Sequence, residues 1–122
     1  MSRLGDERST ILAALEAGGI RTATGGKLAA PCILLEPGDP WTEPRRAAPT
    51  RGRVSRWRLS AIPAAVDTVA AIDELAGMID EADAALRTIS GLELPSWARP
   101  IEQEIAGIRR AVSIATIQYA SS

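Results

Sequence analysis

Histidine is absent from the 122 residues, and Cys32 is the only cysteine. Without histidine, the chain cannot form a Ser-His or Cys-His catalytic pair, and zinc sites built from cysteine and histidine are excluded. A single cysteine cannot form a disulfide within the chain. We therefore expect a protein that is not an enzyme and needs no cofactor or metal, with the Cys32 thiol buried in an apolar segment.

Phenylalanine is also absent, and aromatic residues make up only 3% of the chain. The longest uncharged stretch, residues 111–122, is too short to span a bilayer. The first residues contain no apolar core of the kind found in signal peptides. These features predict a protein that stays in the cytoplasm of the cell that makes it, without a membrane partner.

The length and the 46% hydrophobic content predict one globular domain that spans residues 1–122. Asp6 is the predicted N-cap of a first helix, which ends before Gly18. A longer second helix is predicted over residues 64–89. Its predicted buried stripe consists of apolar residues three or four apart: Val69, Ile72, Leu75, Ile79, Ala82, Leu86 and Ile89.

Strands are predicted over residues 28–36, 53–62 and 111–119, while residues 101–110 fit either a short helix or an extended segment. Residues 37–50 contain four prolines and are predicted to form a long loop without regular structure. Together the elements predict an α+β fold. In it, a small, mostly antiparallel sheet packs against the long helix and the shorter N-terminal helix.

Charge is segregated along a chain whose net charge is only −1. Residues 44–58 contain six arginines and no acid, whereas residues 64–93 contain seven acids and one arginine. Opposite charges attract copies of one chain or a separate partner, so these blocks and two loop tryptophans are the candidate interface residues. They are Trp41, Arg45, Arg46, Arg51, Arg53, Arg56, Arg58, Asp73, Asp80 and Trp97.

Two familiar site patterns are incomplete in this sequence. A phosphate-binding loop needs a glycine where Arg21 stands and a hydroxyl residue where Leu28 follows Lys27. Asp80 and Asp83 lie three residues apart on the predicted helix, where a solvated face is the simpler interpretation. The arginine block fits a protein–protein contact best, with sequence-independent DNA contact and an ordinary solvated strand as the alternatives.

Several segments form a pattern when they are taken in order. They are the helix end 11–18, the apolar strand 31–37, the tryptophan strand 53–59, the alanine-rich helix around Leu75 and Ile79, and the last strand, 112–117. In this order they resemble the tail terminator proteins of long-tailed, siphovirus-type phages, particularly phages of actinobacterial hosts.

The resemblance implies a structural virion protein without a cofactor. Such a protein forms a hexameric ring at the head-proximal end of the tail tube, ends tube polymerisation and joins the tail to the head connector. Its implied partners are further copies of itself, the tube protein, the connector or stopper, and DNA that passes through the lumen unrecognised. Another connector ring (a stopper or tail-completion protein) is the nearest alternative, and a small DNA-binding regulator is the alternative from another class.

Overall fold

The computed structural model describes residues 2–24, 28–44 and 52–121. Within these residues the chain forms two helices and six strands. In chain order they are α1 (Arg3–Ala17), β1 (Thr22–Ala23), β2 (Cys32–Pro44), β3 (Arg53–Ile62), α2 (Thr68–Leu86), β4 (Ser96–Trp97), β5 (Ile101–Ile105) and β6 (Ile108–Ser121).

The strands form one mixed sheet in the order β1-β2-β3-β6-β4, and β5 pairs with β6 as well. Only β1 and β2 run parallel; every other described pair is antiparallel. The predicted α+β class with a mostly antiparallel sheet is therefore confirmed.

Helix α1 begins one turn earlier than the sequence predicts. Its N-cap is Ser2, whose Oγ accepts a hydrogen bond from the Gly5 backbone N–H at 2.9 Å, so the prediction of Asp6 as N-cap is wrong. Asp6 lies instead in the first turn, where its negative charge interacts favourably with the helix dipole. The predicted end is confirmed, since Gly18 caps the helix and Gly19 follows with φ at +82°.

The predicted loop 37–50 is wrong over residues 37–44, which continue β2 up to Pro44. Residues 45–50 lie outside the described residues. The prolines of β2 are compatible with a strand because no described strand pairs with its outer edge beyond Leu34, so their missing N–H groups remove no ladder bond there. The pairing with β3 also shifts register between Pro37 and Thr42.

Strand β3 has the predicted bounds and the predicted alternation. Ser55, Trp57, Leu59 and Ala61 point to one face and are all buried. They meet Ile33 and Leu35 of β2, Ala115 and Ile117 of β6, and both helices in the larger core cluster. This face of the sheet is therefore the helix-covered face.

Helix α2 is shorter than predicted because Asp67 caps it, accepting from the Ala70 N–H at 3.1 Å. The predicted burial of Val69 and Ile72 is also wrong: they are 70% and 47% exposed. The residues that pack inward are Ala71, Leu75, Ala82, Ala85 and Leu86. At 3.6 residues per turn, Val69 lies about 160° around the helix from buried Ala71, so it points away from the sheet.

The segment that the sequence left open, residues 101–110, is extended. Strands β5 and β6 form a hairpin whose turn residues, Ala106 and Gly107, have φ values of +52° and +82°. Positive φ at both central residues is the requirement of a two-residue type I′ hairpin turn. Towards the turn, the last β6 residue that pairs with β3 is Ser113. The hairpin therefore projects beyond the end of β3.

The opposite face of the sheet, which we call the bare face, is covered by neither described helix. A second, smaller cluster of Cys32, Ile62 and Val112 lies there, with Ile105 and Ile114 packed against it. Along β3 this face then becomes polar, because Ser60, Arg58 and Arg56 follow Ile62 at alternate positions. One side of the domain is therefore formed by the two helices, and the other by a sheet face that neither described helix covers.

Candidate functional site

The predicted arginine block does not form one surface. Arg53 shares a face with Trp57, and its Nε donates to Thr42 Oγ1 at 3.0 Å. Arg56 and Arg58 point to the bare face instead, because successive strand residues alternate between faces. Arg45, Arg46 and Arg51 lie outside the described residues.

Strand β2 brings carboxylates beside the arginines of the bare face. Arg56 forms an ion pair with Glu43 through Nη2, while its buried Nη1 has no hydrogen-bond partner among the described residues. Arg58 is exposed and registered opposite Glu36. What the sequence shows as an uninterrupted basic block is therefore a mixed surface, because residues distant in sequence pair across the sheet.

The acidic residues of α2 divide into structural and outward-facing groups. Glu74 accepts hydrogen bonds from the backbone N–H groups of Ala64 and Ala65 and so fixes the segment before the helix. Asp73 and Asp80 are exposed, as is Glu81, and none of the three forms an ion pair with the described residues. Helix α2 contains no basic residue, so its outer side is acidic.

Trp97 packs against the protein's own core and is half-buried in β4. Its indole Nε1–H donates to Asp83 Oδ1 at 3.0 Å, which ties the β6 edge of the sheet to α2. The structure thus gives Trp97 and Asp83 a stabilising contact within the monomer.

We expect Trp97→Phe to lower the free energy of unfolding by about 1.5 kcal/mol, because it removes a hydrogen bond to a charged acceptor. Urea denaturation measures the change. The matched control is Trp41→Phe, which alters a more exposed tryptophan and should change stability by less than about 0.5 kcal/mol. Equal losses in the two variants would contradict the role given to the Trp97–Asp83 bond.

Trp41 is 40% exposed and packs edge-to-face on buried Trp57, with ring centroids 5.6 Å apart. The two rings line a groove of about 290 Å³ together with Leu4, Arg8 and Pro37, among other residues. Most of this lining is apolar. Among the described residues that line it, there is no pair of carboxylates and no nucleophile beside a base.

Sequence reasoning missed a buried polar cluster beneath α1. Glu7 is 5% exposed, and its carboxylate accepts hydrogen bonds from Trp57 Nε1 at 3.1 Å, Ser55 Oγ at 3.3 Å and Arg3 Nη1 at 2.8 Å. Arg3 Nη1 also donates to Ser55 Oγ at 2.7 Å. This cluster fixes α1 on β3. The only sequence signal is the spacing of Arg3 and Glu7, which equally fits an exposed helical ion pair.

Sequence reasoning also missed two groups of exposed apolar side chains. Val66 lies just before the N-cap of α2, Val69 and Ile72 lie in the first turns of α2, and Ile101 and Ile108 lie on the β5–β6 hairpin. Exposed apolar groups of this kind mark interaction surfaces more often than isolated exposed residues do.

The predicted burial of Cys32 is confirmed, since its side chain is 1% exposed. Burial raises the pKa of the Cys32 thiol, although nearby Arg21 opposes the shift. The thiolate is the reactive form, so this thiol is a poor nucleophile at neutral pH. Over residues 2–24, 28–44 and 52–121, no group of three or more acidic or cysteine side chains is arranged to hold a metal ion.

None of the helices in the described part of the chain is long and apolar enough to cross a membrane. No protein-family model matches the sequence, and no curated protein matches it.

Proposed function

We propose that the chain is a structural subunit of a ring at the head-proximal end of a phage tail tube, where it ends tube polymerisation and joins the tail to the head connector. The observation that carries this proposal is the one-sided covering of the sheet. Both described helices pack on one face, so an acidic helical side and a bare sheet side point in opposite directions.

Unlike surfaces on opposite sides of a subunit favour head-to-tail association. Such contacts are heterologous, and they generate a closed ring when the rotation between neighbours divides a full turn. The order of the elements, which resembles that of tail terminators, supports a ring of six copies. Within this proposal the exposed acids of α2 face a neighbour that supplies arginines.

The arrangement of charge favours this proposal over a DNA-binding regulator. A duplex-binding surface needs a stripe of basic residues. On the bare face, Glu43 and Glu36 lie beside Arg56 and Arg58, so the acids interrupt the arginines and no continuous basic stripe forms. DNA that passes through a ring without being recognised requires no such stripe.

Mixing the purified chain with polymerising tail-tube protein tests the proposal, with negative-stain images taken of the mixture. We expect rings with a central hole on one end of each tube, and tubes that stop growing. Tubes that grow as if the chain were absent would refute the assignment. A compact dimer that binds duplex DNA with sequence preference would favour a regulator instead.

Charge reversal provides a second readout in the same assay. We expect Arg58→Glu to reduce ring formation, since it places a carboxylate where an acidic neighbour must dock, and added salt should lessen this effect by screening the repulsion. Arg8→Glu is the matched control, because Arg8 is an exposed arginine of α1 and belongs neither to α2 nor to the bare face. Equal yields of rings from wild type and Arg58→Glu would exclude the bare face from the contact.

A further inference from the structure

The exposed apolar side chains on α2 and on the hairpin lie on opposite sides of the domain. We call Val66, Val69 and Ile72 the helix patch, and Ile101 and Ile108 the sheet patch. Apart from these five, the large apolar side chains exposed in the described residues are Trp41 and Leu94. Five of the seven large apolar side chains that are exposed in the described residues therefore lie in two places.

The register of the strands places the sheet patch on the bare face. Ile101 is opposite Val112, which belongs to the second core cluster, and Ile108 is opposite Ile105, which packs against that cluster. The helix patch lies in the other layer and points outward, because α2 turns Ala71 and Leu75 toward the sheet. The two patches thus lie on opposite sides of the domain.

Each patch continues into a charged region. The region on α2 is acidic, and the region on the bare face contains arginines. On α2 the helix patch is followed by exposed Asp73 and Asp80. On the bare face the apolar rows are followed by Arg58 and Arg56, and Arg110 lies on the same face of the hairpin. Among the described strand residues, these three arginines share the face with two acids, Glu36 and Glu43, whereas α2 itself contains no basic residue.

The spacing of the two regions agrees as well. From Val69 to Asp80 the helix rises about 17 Å, at 1.5 Å per residue. From Ile101 of the sheet patch, which is level with Val112, to Arg56, which is level with Gln118, the sheet extends about 20 Å, at 3.4 Å per residue. A helix laid along the bare face would therefore bring the helix patch onto the sheet patch and its carboxylates towards Arg58 and Arg56.

We infer that the bare face is the docking site for helix α2 of a second copy of this chain. This inference rests on the proposed function and names the two surfaces that meet in the ring. The second copy is the occupant because the chain itself supplies the complementary surface, in both charge and apolar pattern. The contact also covers a two-stranded hairpin, a structure that is only marginally stable alone in water.

Two variants, each altering one patch, test the inference. Val69→Glu alters the helix patch and Ile108→Glu alters the sheet patch; both residues are exposed in the monomer, so the fold tolerates the change. We expect each variant to self-associate at least tenfold more weakly than wild type in sedimentation equilibrium. Leu94→Glu is the matched control, because Leu94 is similarly exposed but belongs to neither patch, and it should associate like wild type.

Mixing the two variants provides the decisive measurement. Each variant retains the surface that the other lacks, so a head-to-tail contact predicts heterodimers that grow no further. An interface that joins identical patches predicts no such rescue, and its absence would overturn the inference.

The outcomes separate this inference from the proposed function. Rings that form unchanged from both variants would overturn the assignment of the two surfaces and leave the proposed function standing. A wild-type chain that stays monomeric at its highest soluble concentration would likewise overturn the docking site, whereas failure to cap tail tubes would overturn the proposed function alone.

Discussion

Replacing Glu7 with alanine should lower the free energy of unfolding by about 3–5 kcal/mol, because it removes the acceptor at the centre of a buried polar cluster. Trp57 Nε1–H and the Ser55 hydroxyl would lose the carboxylate to which they donate. Both side chains are buried, so water does not replace the lost acceptor without cost. Guanidinium denaturation, followed by circular dichroism, measures the change.

Two comparisons show whether the cluster is the cause. Asp6→Ala removes an exposed acid from the same turn of α1 and should cost at most about 1 kcal/mol, through the helix dipole. Glu7→Gln keeps a carbonyl acceptor for the indole and should be less damaging than Glu7→Ala. If Asp6→Ala and Glu7→Ala destabilise equally, the buried cluster does not anchor α1.

A second large loss of stability is expected from a substitution at Gly38, where β2 lies very close to the β3 backbone at Arg56. A Cβ placed there would lie 2.8 Å from the Cβ of Arg56 and 2.9 Å from both its carbonyl carbon and its carbonyl oxygen. Two of these atoms belong to the backbone of a central strand, so a change of side-chain rotamer cannot relieve the contact. We expect Gly38→Ala to lower the free energy of unfolding by about 1–3 kcal/mol, as overpacking does.

Gly77→Ala is the matched control, and its expected effect has the opposite sign. Gly77 is an exposed position of α2, and an added Cβ has no other atom within 4 Å. Because alanine favours the helix over glycine, this variant should be more stable by about 0.5–1 kcal/mol. Destabilisation by both substitutions would show that the close approach to Arg56 does not decide the effect at Gly38.

The parts of the fold that follow from local pattern were predictable from the sequence. Alternation over β3 predicted its bounds and its buried face, since a period of two residues directly reflects the sheet geometry. The glycine pair at residues 18–19 predicted the end of α1. The extended form of 101–110 was not predictable, because three isoleucines spaced by four and three residues also fit a helix.

The errors arose where tertiary contacts override the local pattern. Val69 and Ile72 fit the period of a buried stripe, yet α2 turns Ala71 and Ala85 inward and leaves both of them exposed. The prolines after Glu36 indicated a loop, because nothing in the sequence reveals that they occupy an edge. The side of α2 that is buried and the extended conformation of the proline segment both depend on neighbours that are distant along the chain.

The candidate interface was predictable only in outline. The acidic side of α2 follows from the sequence, since helical spacing alone places Asp73 and Asp80 on the outside. The matching basic surface does not, because the pairing of β2 with β3 determines which carboxylates meet the arginines. The sheet patch depends on the register of β5 against β6, which no local pattern specifies.

The prolines of β2 have a consequence for how partners are selected. An unpaired strand edge offers the same backbone groups to every extended chain, so any unfolded segment in a crowded cell can pair with it. Pro37, Pro40 and Pro44 lack the N–H groups that such pairing needs. These prolines therefore weaken backbone pairing along this edge, so contacts made there depend more on side chains, which differ from one protein to the next.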